Sequence, residues 1–495
     1  MELGLLKRRL VMGSLAGALR VMLAIPLYLV LTPFMLRELG QEMFGLWSFS
    51  TLIISVMTLT DFGFKNALVY HIARAQGQTE TINGHFNVAF WTYLAVAGLI
   101  VLATALLGPL IVEDILRVPE RLGNEAWFVL WVTALSFGLR FIAIPYQAVV
   151  EGNQQHAVAQ FILLAWLIVN FIGSVIALML YHNIYALGVV SVFSNIVILA
   201  AFFWRVSTHY PFVRLGVKYL KREKFIDMLR FGSGIQIATV LITIREPLLK
   251  VLIARVYDLT AVASFEIVYR LCTQLVSLVA TPLLGSFSAS ALLAEHREHE
   301  LQSIIRTMFG FCVAVFVPAV LFFWTFSVPI IEFWLGASYP QVGEMLPLAF
   351  AAFAIYYTTE PLYKALEGAG LSGYSALVQL ISVTVSFVAF GRLVDYPAYA
   401  TSYALLTGFA VFSVSNYVVF RWRFKSITLF TVRQGLWLLG PILAYAACYS
   451  TLPSEALPMV FMIYLAAHVW CVRKATIFDL IGIARRLTGL IRARA

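Results

Sequence analysis

Charge is scarce in this sequence. Of its 495 residues only 12% are Asp, Glu, Lys or Arg, about half the ~25% usual for a soluble domain. Cysteine is scarcer still. Cys272, Cys312, Cys448 and Cys471 all sit in apolar stretches without metal-ligand spacing, which excludes a disulfide framework or a cysteine metal site and predicts buried free thiols. Enzyme signatures are missing as well: there is no phosphate-binding glycine loop, no His-Glu-x-x-His and no Gly-x-Ser-x-Gly. No nucleotide-binding domain is present, so ATP is not the direct fuel. The sequence therefore predicts no catalytic residue, no metal, no cofactor and no enzyme activity. The run "EHREHE" at 295–300 has an arginine at its centre and reads as a polar turn rather than a metal box. The start runs straight into an apolar stretch with no cleavage pattern and polar segment after it, so no cleavable signal peptide is expected.

What the chain has is apolar length. It is 61% hydrophobic, and stretches of about 20 apolar residues, each long enough to cross a bilayer as a helix, recur along it. They predict an all-α polytopic membrane protein of about fourteen transmembrane helices, near 11–33, 44–64, 85–110, 126–149, 157–180, 184–204, 231–254, 261–288, 308–331, 345–363, 373–391, 398–420, 434–452 and 456–472. The net charge of +10 would suggest nucleic acid in a soluble protein. Here its distribution carries a different message. With the N-terminus placed inside, 25 of the 35 Lys and Arg fall on the inner side, five on the outer side and five within spans. Basic residues concentrate on cytoplasmic loops, so both termini are expected in the cytoplasm, with no nucleic-acid partner. Trp47, Tyr70, Trp127, Trp204 and Trp334, at helix ends, read as interfacial anchors.

A basic stretch at 205–225 divides the spans. "PYQAVVEGNQQ" from Pro145 and "PLYKALEGAGL" from Pro361 share Pro, Glu and Gly at one offset, so that Glu151 and Gly152 match Glu367 and Gly368. Gly13-Ser14 and Gly232-Ser233 open the two halves. Six helices per half make the repeat parallel, about an axis along the membrane normal. The expected domains are a six-helix lobe at 1–205, a cytoplasmic linker at 206–230, a second six-helix lobe at 231–425, and two extra helices with a basic tail at 426–495. Two such lobes form a V-shaped transporter that works by alternating access.

The charged residues inside the spans are the candidate site. Arg20, Arg140, Arg245, Lys250 and Arg270 are cations. Glu246 and Glu266, with Asp61 and Glu360 nearer the helix ends, are the acids. Glu246 and Lys250 are four apart, as are Glu266 and Arg270, so each can pair along one helix face. Pro247 removes a backbone hydrogen bond and crowds the Thr243 carbonyl, predicting a kink. Arg20, Arg140 and Arg245 have no such local acid. A charge at the bilayer centre costs at least about 2.5–3.5 kcal/mol, so it faces a partner or a wet cavity. The central positive excess points to an anionic substrate, and the planar arginine fork suits phosphate. All five cations are candidate substrate ligands. If an ion is exchanged, Na+ or H+ would titrate at Asp61, Glu246, Glu266 or Glu360.

The segment "LRELGQEMFGLWSFSTLIISVMTLTDFGFKNALV" at 36–69, with Leu39-Gly40, Glu42, Gly45-Leu46-Trp47 and Asp61-Phe62-Gly63, resembles the helix 1–2 region of bacterial polysaccharide flippases of the Wzx type. "PYQAVVEGNQQ" resembles that family's segment after helix 4. The resemblance implies a fold of twelve to fourteen helices and transport of undecaprenyl-diphosphate-linked oligosaccharide for O-antigen, capsule or exopolysaccharide synthesis. Its partners would be that glycan lipid, the bilayer, a coupling Na+ or H+ and other polysaccharide assembly proteins. Two rivals stand beside it. A multidrug antiporter of the same superfamily would want an acidic cavity. A polytopic glycan polymerase or ligase would want a large outer loop, whereas the longest here, 111–125, has about fifteen residues.

Overall fold

In a computed structural model of the chain, residues 2–61, 63–75, 78–229, 240, 243–280, 298–336, 339–368, 372–425 and 432–474 are described. Their secondary structure is helical throughout, without a strand among the described residues. We label the helices α1 (Glu2–Leu39), α2 (Gln41–Thr58), α3 (Phe64–Arg74), α4 (Thr79–Pro109), α5 (Gly123–Gly152), α6 (His156–Tyr181), α7 (Ile184–His209), α8 (Arg245–Val256), α9 (Leu259–Ala280), α10 (Glu298–Leu335), α11 (Pro340–Gly368), α12 (Ser372–Arg392), α13 (Pro397–Arg423), α14 (Val432–Thr451) and α15 (Leu457–Lys474). A helix stands at each expected span where the span is described; most of 231–244, and 281–288, lie outside the described residues. Gly232-Ser233 and residues 295–297 lie outside the described residues. Among the described residues, nine helices are long and apolar enough to cross a membrane. The others are shorter or carry more polar residues. The chain falls into two compact units, residues 1–267 and 268–495.

Unit one holds α1 to α8 and the start of α9. The third helix packs against the fourth, the fourth against the sixth and the fifth against the sixth of its long spans, α4 on α5, α5 on α7, α6 on α7. The short helix α3 has no counterpart in the expected spans. Its apolar Phe64, Ala67, Leu68 and Ile72 are buried, and their spacing forms one helical face that packs on α5. The end of α5 comes close to α3 because Gly152 has no side chain. A Cβ there would lie 2.8 Å from Ile72 Cβ and 3.2 Å from the Val69 carbonyl. A second close approach holds α2 to the start of α9. A Cβ on Gly45 would lie within 2.1 Å of the Leu259 carbonyl oxygen, and Gln41 Nε2 donates to Thr260 O at 3.3 Å and Ser264 Oγ at 3.2 Å. This packing is why the boundary of the compact unit falls inside α9 rather than at the linker.

The linker is held down by two asparagines one turn apart on α4. Asn83 Nδ2 donates to Phe212 O (2.9 Å), and its Oδ1 accepts from Arg214 N (2.7 Å). Asn87 Nδ2 donates to Arg214 O (2.7 Å), and its Oδ1 accepts from Gly216 N (2.7 Å). Both asparagines are buried, and their amides serve the extended backbone as a neighbouring strand would. Lys221 pairs with Glu80 at 2.9 Å. His71 stacks on His85 with ring centroids 4.2 Å apart. Burial pushes His71 below the usual histidine range. Asp227 opposes that shift, and Lys224 and Arg74 add to it.

Unit two repeats the packing order of unit one: α10 on α11, α11 on α13, α12 on α13. Both α5 and α11 end on the glycine of the shared Glu-Gly. The two extra helices dock on α10. Tyr445, Phe461 and Tyr464 form one buried cluster against Phe322 and Phe326, and His468 Nε2 lies 3.1 Å from Ala314 O. The four cysteines are free thiols, three of them buried.

Gly152→Ala and Gly45→Ala should each destabilise the purified protein by about 1–3 kcal/mol, the usual penalty for overpacking. A lower melting temperature in detergent is the expected reading, and wild-type melting would contradict these close approaches. Replacing Asn83 and Asn87 together by Leu should release the linker and expose Lys218 and Lys221 to trypsin. Equal cleavage rates in variant and wild type would contradict the clamp.

Candidate functional site

Seven of the nine charged candidates, Arg20, Asp61, Arg140, Arg245, Glu246, Lys250 and Glu266, lie in unit one; Arg270 and Glu360 lie in unit two. Those of unit one separate into two groups with different chemistry.

The first group ties α8 to α9. The helix is interrupted at Ile244, one residue past the Thr243 carbonyl that the Pro247 ring crowds. Pro247 then falls in the first turn of α8, where a missing N–H is tolerated. Lys250 is fully buried, with Nζ 2.7 Å from Glu246 Oε1 and 2.5 Å from Glu266 Oε2. The expected pair on one helix face is present. Glu266, on α9, reaches Lys250 on α8. Arg245, next to Glu246 in the sequence, is buried as well. A buried ion must be paired to be tolerated, and Lys250 meets that with Glu246 and Glu266. With its ammonium between two carboxylates and no exposed surface, Lys250 is placed as a crosslink of the fold rather than as an open ligand.

The second group is a polar chain running through α1 to α6. Arg140 Nη2 donates to Gln147 Oε1 at 3.1 Å. Gln147 Nε2 donates to Glu151 Oε1 at 2.6 Å, and Glu151 pairs with Lys65 at 3.2 Å. Beyond Lys65 lies Asp61, whose Oδ1 accepts a hydrogen bond from the buried Tyr93 hydroxyl. The spacing 140, 147, 151 places all three side chains on one face of α5. Arg20 donates through Nε to Gln160 Oε1 on α6 at 2.9 Å, and Arg20 lies within electrostatic range of Arg140. Both arginines, expected to lack a local acid, are therefore held by neutral glutamines. Glu151, linked to Arg140 through Gln147, pairs with Lys65 and also acts on Arg140 electrostatically.

Arg140 also lines a cavity of about 320 Å³ enclosed by α1, α2, α5, α6 and α7. Thr133, Trp166, Asn170 and Asn195 line it as well, and no Asp or Glu does so among the described residues. Trp47, expected as an interfacial anchor, is half-buried and lines the same cavity. It belongs to the interior because α2 is packed between α5 and α8. Trp204, 67% exposed, has the exposure an anchor needs. In unit two, Arg270 is half-buried on α9, and Glu360 on α11 lies within electrostatic range of Cys312 and Tyr357. Gln147, Glu151, Lys65 and Gln160 were not among the expected site residues. Glu151 could have been found from its place in the repeated Pro…Glu-Gly segment, and Gln147 from standing one turn before it. Gln160 carries no such signal.

Lys250→Met should destabilise the protein by about 3–5 kcal/mol, because Glu246 and Glu266 are left without their buried cation. Adding Glu246→Gln and Glu266→Gln should restore much of the loss. Melting temperature and folded yield read this out, and a single variant as stable as wild type would contradict the crosslink.

The fold is that of known membrane transporters. The chain aligns with an inward-facing multidrug resistance MATE family transporter of the MOP superfamily at a TM-score of 0.69 and 14% identity, covering 82% of this chain and 98% of that one. It aligns with the lipid II flippase MurJ in an inward closed conformation at a TM-score of 0.66 and 12% identity, covering 94% and 97%. A MOP superfamily transporter from Pyrococcus furiosus, described as having a binding pocket of reverse polarity, aligns at 0.59 and 17% identity, covering 85% and 96%. At these identities the likeness speaks for the fold. No curated protein matches the sequence. Residues 34–343 match the sequence model of a family described as "Polysaccharide biosynthesis protein", and the chain belongs to that family.

Proposed function

We propose that the protein is a flippase that moves undecaprenyl-diphosphate-linked oligosaccharide from the cytoplasmic to the periplasmic leaflet. The observation that carries this reading is the cavity of unit one: a buried guanidinium held by a neutral amide, in a lining without a carboxylate. Such a surface favours an anion. The multidrug antiporter reading needs the opposite charge there. Membership in a polysaccharide biosynthesis family and a fold shared with a lipid II flippase favour a glycan lipid as that anion. The polymerase or ligase reading asks for a large outer loop. The segment 110–122 is instead a compact π-helical turn, Leu110–Ile115, and a short 3-10 turn, Glu120–Leu122.

In this reading Arg20, Arg140 and Arg245 draw the diphosphate from the cytoplasmic side, Arg270 of unit two is a further candidate ligand, and Lys250 serves the fold. The glycan crosses in water while the polyprenyl tail stays in lipid. With the termini cytoplasmic and the interior negative, each uncompensated phosphate charge moving outward gains about 2.3 kcal/mol per 100 mV. If Na+ or H+ is exchanged as well, Asp61, Glu246, Glu266 and Glu360 are the candidates to titrate.

Replacing Arg20, Arg140 or Arg245 by Ala should reduce surface glycan to the level of a deletion strain while membrane protein levels are kept. Wild-type surface glycan in all three variants, measured on whole cells, would refute the assignment.

A further inference from the structure

The linker that follows α7 mixes two kinds of exposed side chain. Arg214, Lys218, Lys221 and Arg222 are exposed cations, and with Lys224 they outnumber the acids of the segment, Glu223 and Asp227. Large apolar residues stand in the open among them. Leu215 is 50% exposed, Val217 63% and Leu220 42%, and Phe225 and Ile226 are exposed after them. A single apolar residue on a surface needs no explanation, but a run interleaved with cations does. The segment is also fixed in place. Asn83 and Asn87 take up backbone groups of Phe212, Arg214 and Gly216, and farther along the Phe225 ring meets Phe64 of α3 with centroids 5.7 Å apart. These anchors set its depth. The helix α4 carries no charged residue from Val88 to Val112, a run long enough for a bilayer core. Asn87, the residue just before that run, bonds Arg214 O and Gly216 N. The linker therefore lies along the edge of the apolar belt, where a span meets the polar boundary of the membrane.

We propose that the linker from Arg214 to Ile226 is an in-plane membrane-surface element that binds the anionic phospholipid head groups of the leaflet on its side. Interfacial segments combine apolar side chains, which enter the boundary of the acyl region, with cations, which stay among the head groups. Here Leu215, Val217 and Leu220 are the first set. Arg214, Lys218 and Arg222 are the second, because Lys221 is shared with Glu80 at 2.9 Å. Several Lys and Arg next to a span attract anionic lipid, and each contributes. An acidic soluble protein would match the cations, but it gives no reason for exposed Leu and Val at the edge of the apolar belt. The asparagine clamp also has a use in this setting. A loose loop loses conformational freedom when it settles on a surface, whereas a segment whose backbone is already held by α4 has less to lose. The inference does not rest on the export reading, since the lipids concerned are those of the bilayer and the segment lies outside the unit-one cavity.

The test uses the full chain in lipid nanodiscs, where both leaflets have one composition. Val217→Cys is labelled with a small fluorophore in a Cys448→Ser background, because Cys448 alone among the native thiols is not buried. The nanodiscs are phosphatidylcholine with a minor share of phosphatidylglycerol, and one of the two lipids carries a spin label high on its acyl chain. Quenching then reports which lipid lies beside the linker. Spin-labelled phosphatidylglycerol should be enriched roughly 5-fold over spin-labelled phosphatidylcholine at low salt, and the preference should shrink at high salt through screening. Arg214→Gln, Lys218→Gln and Arg222→Gln together, all at exposed positions, should abolish the preference while quenching by phosphatidylcholine persists. That pattern supports the lipid-binding element. Equal quenching by the two lipids at low salt, or a preference that survives the triple variant, overturns it. Quenching by neither lipid overturns it too, since the segment then stands off the bilayer and suits a soluble acidic partner instead.

Discussion

The guanidinium of Arg140 is the constraint around which unit one is arranged. A cation at membrane depth has to be satisfied by its surroundings, and here the contact given to it is a neutral amide, Gln147. The nearest carboxylate along that chain, Glu151, is shared with Lys65. The contact partner of the guanidinium is thus neutral, while Glu151 acts on it electrostatically from beyond Gln147. The contrast with Lys250 is direct, since that ammonium sits between two carboxylates. That cluster fastens two helices together.

The backbone serves the same end. Glycines at 45 and 152 bring α2 to the start of α9 and α5 to α3, and the second approach anchors the helix that carries Arg140, Gln147 and Glu151. The linker is fastened to the end of α4 by Asn83 and Asn87. Its basic residues thereby lie along a structured face instead of on a loose tether. Satisfying the backbone of an extended segment through two amide side chains costs no strand of its own, and it is fitting where an irregular stretch must lie against a helical lobe.

Much of this was legible in the sequence. Apolar length located the helices, because a span must bury about 20 residues in lipid whatever its neighbours do. The shared Glu-Gly at 151–152 and 367–368 marked equivalent helix ends, and Glu246 and Lys250 pair as their spacing requires. What escaped was amphipathic or tertiary. The helix α3 is short and half polar, so hydropathy passes over it, although Phe64, Ala67, Leu68 and Ile72 carry a helical period. The contact of Glu266 with Lys250 crosses from one helix to the next and is set by packing. The bonds of Gln160 and Gln147 to arginines could not be read from local spacing: one partner is 140 residues away and the other seven. Trp47 carries the composition of an anchor and the position of a cavity wall, and only the packing of α2 decides between them.

The central claim is that positive charge in the interior selects an anionic lipid. Purified protein reconstituted in liposomes with an imposed potential tests it most directly, by comparing translocation of a fluorescent undecaprenyl-diphosphate saccharide with uptake of a cationic dye. The account predicts movement of the saccharide lipid, faster when its starting side is negative, and none of the dye. Transport of the dye with the lipid left in its original leaflet would contradict it.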